Sequence, residues 1–255
     1  MKIHELSDRK MMLLENDCIT NLACSEHGYE PHNTAIIKQY VKPGMTCLDI
    51  GANCGCHTVT MAKQTGPSGV VHAFEPQRIV FQQLNGNVFL NELYNVVTHN
   101  VALSDTSGLA RMTTPDFKSQ LTNIGNEHLK FDDVGEPVPK RDVGEPVPKR
   151  RLWEVLDHST DVHFIKMDIQ GHELHALKGA TGLIMKCKPL MIVEIEDHQL
   201  AHFKVTVDSL MSYLTNELGY HVYVIDDLSD DLCVHPDNPV DLSPFGSRLR
   251  RRLGA

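Results

Sequence analysis

No apolar run in the chain approaches the length of a membrane-spanning helix, so a helical membrane protein is not expected. The opening Met1-Lys2-Ile3-His4-Glu5 places charges where a secretory signal is apolar, so no secretory leader is expected. Positive charge is scarce: 24 lysines and arginines stand against 33 acids, for a formal net charge of −9. A basic field for nucleic acid or an acidic membrane surface is therefore missing. The exception is Arg248, Arg250, Arg251 and Arg252, read as part of a solvated basic tail. Cys-x-x-Cys pairs are also missing, and the seven scattered cysteines point to reduced thiols and a cytoplasmic protein. Cys54-Gly55-Cys56-His57 lacks zinc-site spacing and a second ligand pair, so small side chains lining a turn are expected there. Aromatics are few, which leaves Trp153, Phe117 and some tyrosines as the candidates for stacking on a carbohydrate.

What is present is the material of one large α/β domain, with 41% hydrophobic residues in 255. Asn33 is placed to cap a helix over Thr34–Val41, and a strand is expected at Thr46–Ile50. A helix over His57–Gln64, a strand Val70–Phe74, a helix Arg78–Leu90 and a strand Asn95–Val101 follow. Further strands are read at His163–Asp168, Leu190–Ile195, Tyr220–Ile225 and Asp231–Val234, with helices from Glu173 and over Val207–Leu218. This β-α-β-α-β order is that of a Rossmann-like, doubly wound, mostly parallel sheet with helices on both faces. Residues 1–32 form an N-terminal cap segment, with a short hairpin around Met11–Leu14 and Cys18–Thr20. Residues 33–235 are read as the main α/β domain, and 236–255 as a flexible basic tail.

One stretch breaks the rhythm. Asp133–Arg141 reads DVGEPVPKR, and Asp142–Arg150 repeats it without change, a tandem duplication. Two prolines and a glycine in each copy argue against a helix or a central strand. Residues 112–150 are read as a long excursion over the ligand end of the sheet.

The strand Thr46–Ile50 runs into Gly51-Ala52-Asn53-Cys54-Gly55 and then a helix, a place where a ligand meets bare backbone. Glu75 ends the next strand, where a carboxylate accepts from both hydroxyls of a ribose. A dinucleotide site needs a further glycine to approach pyrophosphate, and Asn53 stands in its place. Asp49 just before the turn repels pyrophosphate and pairs well with an ammonium. These features favour S-adenosylmethionine, which has an ammonium and a sulfonium and no phosphate, over NAD. An NAD-dependent oxidoreductase and a non-catalytic binding module remain the competing readings.

Asp49-Ile50-Gly51-Ala52-Asn53-x-Gly55, Phe74-Glu75-Pro76, Asn100-Val101-Ala102-Leu103-Ser104-Asp105, Ile165-Lys166-Met167-Asp168-Ile169-Gln170-Gly171-x-Glu173 and Val193-Glu194 together resemble the FkbM-type family of class I S-adenosylmethionine-dependent methyltransferases. The resemblance implies the class I methyltransferase fold with a seven-stranded sheet. It also implies an O-methyltransferase acting on a hydroxyl of a sugar, glycan or small natural product. Asp49, Gly51, Ala52 and Asn53 are then expected at the methionine end, with Gly55 allowing close packing. Glu75 is expected on the ribose, and Asn100 and Val101 at the adenine edge. The duplicated nonapeptide and Leu152-Trp153-Glu154 depart from the family pattern on the acceptor side.

Methyl transfer to a hydroxyl needs alignment and a base. Lys166 and Asp168 share a face of their strand, Asp168 at its carboxyl end. Glu173 begins the next helix and Glu194 ends the next strand. Asp168 is the preferred base, followed by Glu194 and by Lys166 if burial depresses its pKa. A buried ion-pair network, or a magnesium or calcium ion on Asp168 and Glu194, is the alternative. His172 and His198 rank below the acids.

Overall fold

The computed structural model describes residues 1–15, 18–25, 28–112, 129–130, 144–225 and 230–252. The chain opens with an antiparallel hairpin, β1 (Lys2–Glu5) and β2 (Lys10–Leu13), and a short helix α1 (Cys18–Ala23). Then come α2 (Pro31–Tyr40), β3 (Thr46–Ile50), α3 (Cys56–Thr65), β4 (Val70–Phe74), α4 (Arg78–Leu90) and β5 (Val96–His99). A second group of strands follows: β6 (Ala102–Leu103), β7 (Gly108–Met112), β8 (Leu129–Lys130) and β9 (Glu145–Arg150). The chain returns through β10 (Phe164–Met167), α5 (Glu173–Cys187), β11 (Leu190–Glu194), α6 (Asp197–Leu200) and α7 (Val207–Ser212). It ends with β12 (His221–Ile225), β13 (Asp230–Val234) and β14 (Leu249–Arg251).

The described strands build an eight-stranded sheet in the order β14-β12-β13-β11-β10-β3-β4-β5. The run from β11 to β5 is parallel, and β12, β13 and β14 are antiparallel. β10 and β11 are buried at every position, as expected of central strands with helices on both faces. Their carboxyl ends and those of β3 and β4 therefore lie side by side.

The eighth strand corrects the expected seven and the expected flexible tail. Leu249–Arg251 pairs with Tyr223–Ile225 along the sheet edge. The Arg252 guanidinium meets the buried Asp231 carboxylate at 2.8 Å, and Phe245 lies against Tyr40. A buried carboxylate recruits an arginine here, so the basic run is partly structural.

Two local expectations also change. Asn33 does not cap α2; Pro31 begins the helix, and Asn33 Nδ2 donates to Glu30 and Asp230 at 2.9 Å each. The second nonapeptide copy supplies β9, which lies between β6 and β7. Its prolines are tolerated because Pro146 and Pro148 face only β7, while β6 joins at Lys149 and Arg150. The first copy lies outside the described residues, as does Phe117.

Candidate active site

The turn after β3 sets the floor of the site. Gly51 has φ 85°, and a Cβ there would stand 1.8 Å from the Asp168 carbonyl oxygen, so no side chain fits. Asn53 adopts φ 49° and Gly55 φ 92°. Asn is the non-glycine residue best suited to that region, and its Oδ1 accepts from the Cys54 N–H at 2.6 Å. The N–H groups of Gly51 and Ala52 donate to the Phe74 carbonyl at 3.0 and 2.9 Å, which locks the turn to β4. Gly55 lies over Leu84, where a Cβ would stand 2.7 Å from Cδ1.

Glu75 follows β4 and is buried. Its Oε2 accepts from Asn53 N–H at 2.9 Å and its Oε1 from Gln77 N–H at 2.8 Å. Burial outweighs these two bonds and pushes its pKa up to about 7. Asn100 spends its amide on the carbonyls of Glu75 and Pro76, at 2.8 and 2.9 Å. It shapes the turn that carries Glu75 and does not line the cavity, whereas Val101 does.

The cavity above these turns measures about 330 Å³. Its polar wall carries Glu30, Glu75, Asp168, Glu194 and Glu196, together with Asn53, Gln77, Gln170, Gln199 and His198. No lysine or arginine lines it among the described residues. Apolar side chains, Ile50, Phe74, Val80, Val101, Leu103 and Ile169 among them, line much of the rest. Asp49 and Ala52 border a neighbouring void of about 20 Å³, shared with Gly51, Asn53, Lys166 and Asp168. Thr58 Oγ1 donates to Asp49 Oδ2 at 2.5 Å, while the buried Asp49 Oδ1 has no partner.

The four expected catalytic groups lie near one another, but only Asp168 and Glu194 line the cavity. Lys166 Nζ donates to Asp168 Oδ2 at 2.8 Å and is buried. Burial by itself lowers a lysine, but Asp168, Glu30, Asp230 and Asp49 outweigh it and hold the ammonium well above its ordinary pKa. The depressed lysine base is thus overturned. Asp168 is half-buried, and Lys166 outweighs the desolvation and lowers its pKa, so Asp168 is ionised but weakly basic. Glu194 is pushed up to about 12, by burial first and then by the Asp168 charge. It holds a proton at neutrality and is not a ready base, contrary to its rank as runner-up. Gln170 Nε2 spans the two, at 2.8 Å from Asp168 Oδ1 and 3.3 Å from Glu194 Oε2. Glu173 does not reach the cavity; its Oε1 accepts from the N–H groups of Ile169 and Gly171 at 3.0 and 3.1 Å and closes the turn before α5. Among the described residues, no group of three or more His, Cys, Asp and Glu side chains is placed to hold a metal.

Several lining groups had no local signal. Glu30 sits in the left-handed region at φ 41°, and its Oε2 lies 2.7 Å from His57 Nε2. Burial raises a carboxyl there, yet Lys166 and His57 win and hold Glu30 well below the ordinary range. Only the fold brings residue 30 to 57 and 166. Gln170 carried a faint signal, as a polar residue before Gly171, and it adopts φ 58°. His172 turns away, buried with Nε2 3.0 Å from Ser104 Oγ.

Buried acids make the pH response predictable. Glu75, Glu173 and Asp231 lie at about 7 and Asp230 at about 6, with burial the largest cause in each. Each binds its proton more tightly in the folded chain than in the unfolded one. Their contribution is complete below the ordinary carboxylate range and is lost as pH rises through about 6–7. The melting temperature of the ligand-free protein is expected to fall between pH 6.5 and 8 in a calorimetric series, above the range in which the lowered pKa values of His99 and His172 act in the opposite sense. A rise over that window contradicts the burial of these acids.

The profile of the methyltransferase FkbM domain matches residues 49–222. No curated protein matches the chain. Among solved structures, methyltransferase FkbM from Methylobacillus flagellatus KT is 18% identical, with a TM-score of 0.50 over 80% of this chain and 51% of that one. The chain thus spans about half the length of that protein. A SAM dependent methyltransferase from Aquifex aeolicus is 18% identical over 80% of this chain and 87% of its own, at a TM-score of 0.41. A SAM-dependent O-methyltransferase from Thermotoga maritima is 13% identical over 88% and 71%, at 0.45. The fold is that of class I methyltransferases. From Asp49 at the ligand end of β3 to Val222 in β12, the matched segment contains the turn, the Glu75 carboxylate and the Lys166–Asp168–Glu194 cluster, and the chain belongs to the FkbM methyltransferase family.

Proposed function

We propose that the chain is an O-methyltransferase that moves the methyl group of S-adenosylmethionine to a hydroxyl of a neutral acceptor, a sugar, glycan or small natural product. The observation that carries this reading is one acid-lined cavity running from Gly51, Asn53 and Glu75 to Glu196 and His198.

S-adenosylmethionine is the cofactor, and the residues fit it. It supplies a methyl group already activated on a positive sulfonium. The partnerless Asp49 Oδ1 in the small void suits its ammonium. Glu75 suits the ribose hydroxyls, and the apolar Phe74–Val101 wall suits the adenine. The cavity acids favour a cationic donor and disfavour a phosphorylated or carboxylated acceptor. A methyltransferase family also decides against the NAD reading.

The acceptor proton needs a destination. Lys166 is protonated, Asp168 is ion-paired and Glu194 already holds a proton. His198 borders the cavity, and its Nδ1 lies 3.1 Å from Glu196 Oε2. Gln199 Nε2 steadies that carboxylate at 3.2 Å. A carboxylate beside Nδ1 favours the tautomer with its proton on Nδ1 and Nε2 open to accept one, although the ring is largely exposed. This reading ranks His198 above the acids; Asp168 and Glu194 then align the donor and acceptor. The cytoplasm is the proposed setting, on the cysteine argument.

The test is transfer from methyl-labelled cofactor to a panel of sugars, glycans and small hydroxylated compounds, with mass detection. His198→Asn is expected to lower turnover on the accepted compound by about 10²–10⁴-fold while cofactor affinity stays within twofold. Wild-type turnover in that variant removes His198 from the mechanism. Methylation of amines alone sinks the hydroxyl reading.

A further inference from the structure

The cofactor turn contains two thiols that the methyl-transfer reading does not use. Cys54 and Cys56 flank Gly55, and their Sγ atoms lie 3.7 Å apart. Both are buried, at 3% and 7% exposure. Cys56 also borders a separate cavity of about 370 Å³ between the N-terminal hairpin and α2. Exposed Glu5, Ser7, Cys24 and Ser25 line that cavity, so it opens to solvent, and Tyr29 stands between it and the acid-lined site. Cys56 thus borders an opening that Gly51, Glu75 and Asp168 do not line.

We propose that Cys54 and Cys56 are an oxidisable dithiol, a modification site for peroxides, and that their disulfide weakens cofactor binding. The reaction balances with peroxide as the oxidant. The Cys56 thiolate attacks a peroxide oxygen, the O–O bond breaks, and a sulfenic acid and the first water (or an alcohol) are formed. The Cys54 thiolate then attacks Cys56 Sγ; the S–S bond forms and the hydroxyl leaves as a second water. Two electrons pass from the two sulfurs to the peroxide, and both thiol protons end in the products.

The consequence for the turn follows from distances. A disulfide needs its sulfurs at about 2.05 Å, so the pair must close by roughly 1.7 Å from its 3.7 Å separation. The thiols pack in one cluster with Met11, Leu13, Ile19, Ala23 and Val59, and a bridge between residues only two apart also fixes the Cα and Cβ spacing across Gly55. Backbone must move, and this backbone is the cofactor turn. Cys54 N–H is held by Asn53 Oδ1, and its carbonyl accepts from Asn87 Nδ2 at 2.8 Å. Asn53 N–H is the donor that holds Glu75 Oε2. Drawing Cys54 toward Cys56 therefore disturbs Asn53 and, through it, the Glu75 carboxylate.

This inference rests on the cofactor placement proposed above, and the test separates the two. The full chain is treated with hydrogen peroxide and alkylated, and its peptides are mapped by mass. Affinity for S-adenosylmethionine is measured by calorimetry before oxidation, after it, and after dithiothreitol. The expected result is a Cys54–Cys56 disulfide with affinity at least tenfold weaker, restored by the reductant. Cys54→Ser and Cys56→Ser are expected to keep their affinity after peroxide, and Cys24→Ser to respond like the parent chain. Mapping the unsubstituted protein needs no variant to fold. Both thiols still alkylatable after peroxide, a Cys24–Cys56 cross-link in place of the expected one, or a Cys54–Cys56 disulfide with unchanged affinity each overturns the proposal. Failure of the reduced protein to bind the cofactor counts instead against the cofactor placement, and it also removes the gating proposed for the disulfide.

Discussion

Replacing Lys166 with methionine is expected to cost about 3–5 kcal/mol of folding stability, the range for removing one member of a buried ion pair. Lys166 sits in β10, in register with Asp49 of β3 on one side and Ile192 of β11 on the other. Its ammonium faces Asp168 at 2.8 Å and also acts on Glu30, Asp230 and Asp49. Methionine fills a similar volume, so the loss reads charge rather than a cavity. Four buried or half-buried acids then lose their common cation and must take up protons or water. Urea denaturation at pH 8 measures the loss. The gap between the two proteins should narrow toward pH 5, where the carboxyls protonate more readily. A loss below about 1 kcal/mol would falsify the idea that Lys166 organises this cluster.

Glu75→Gln is expected to weaken binding of S-adenosylmethionine at pH 8, where the carboxylate is ionised, about 100-fold, roughly 2.7 kcal/mol, as for losing hydrogen bonds to a charged group. The substitution looks conservative but is not. Both carboxylate oxygens accept from backbone, one from Asn53 N–H and the other from Gln77 N–H. Whichever way the glutamine amide turns, its NH₂ points at one of these donors. One buried N–H loses its partner, the turn loosens, and an acceptor for the ribose is gone. Calorimetric titration of the two proteins reads the effect, and thermal melting controls for folding. Affinity within threefold of the parent chain takes the ribose role away from Glu75.

The fold was legible where the chain order is local. Thr46–Ile50 and Val70–Phe74 are strands as the apolar runs require, and Arg78–Leu90 is the helix its spacing predicts. The second nonapeptide copy was misread, because prolines exclude pairing on one edge and not on the other. The tail was misread because its partner, Asp231, is a buried acid whose need for a cation does not show in the residues around Arg252.

The same division runs through the site. The sequence by itself determined where the glycine turn after β3 lies and which acid stands beside it. In a βαβ unit, successive strand ends are neighbours, and a glycine that no Cβ can replace marks the crossing of Gly51 over Asp168. Only the tertiary structure decided which acids are charged, which lysine stays protonated, and that Glu30, Glu196 and His198 join the cavity. Those properties depend on burial and on partners far along the chain. Glu30 meets His57 and Lys166, Asp168 meets Glu194, and each pair settles its protons only once water is excluded around it.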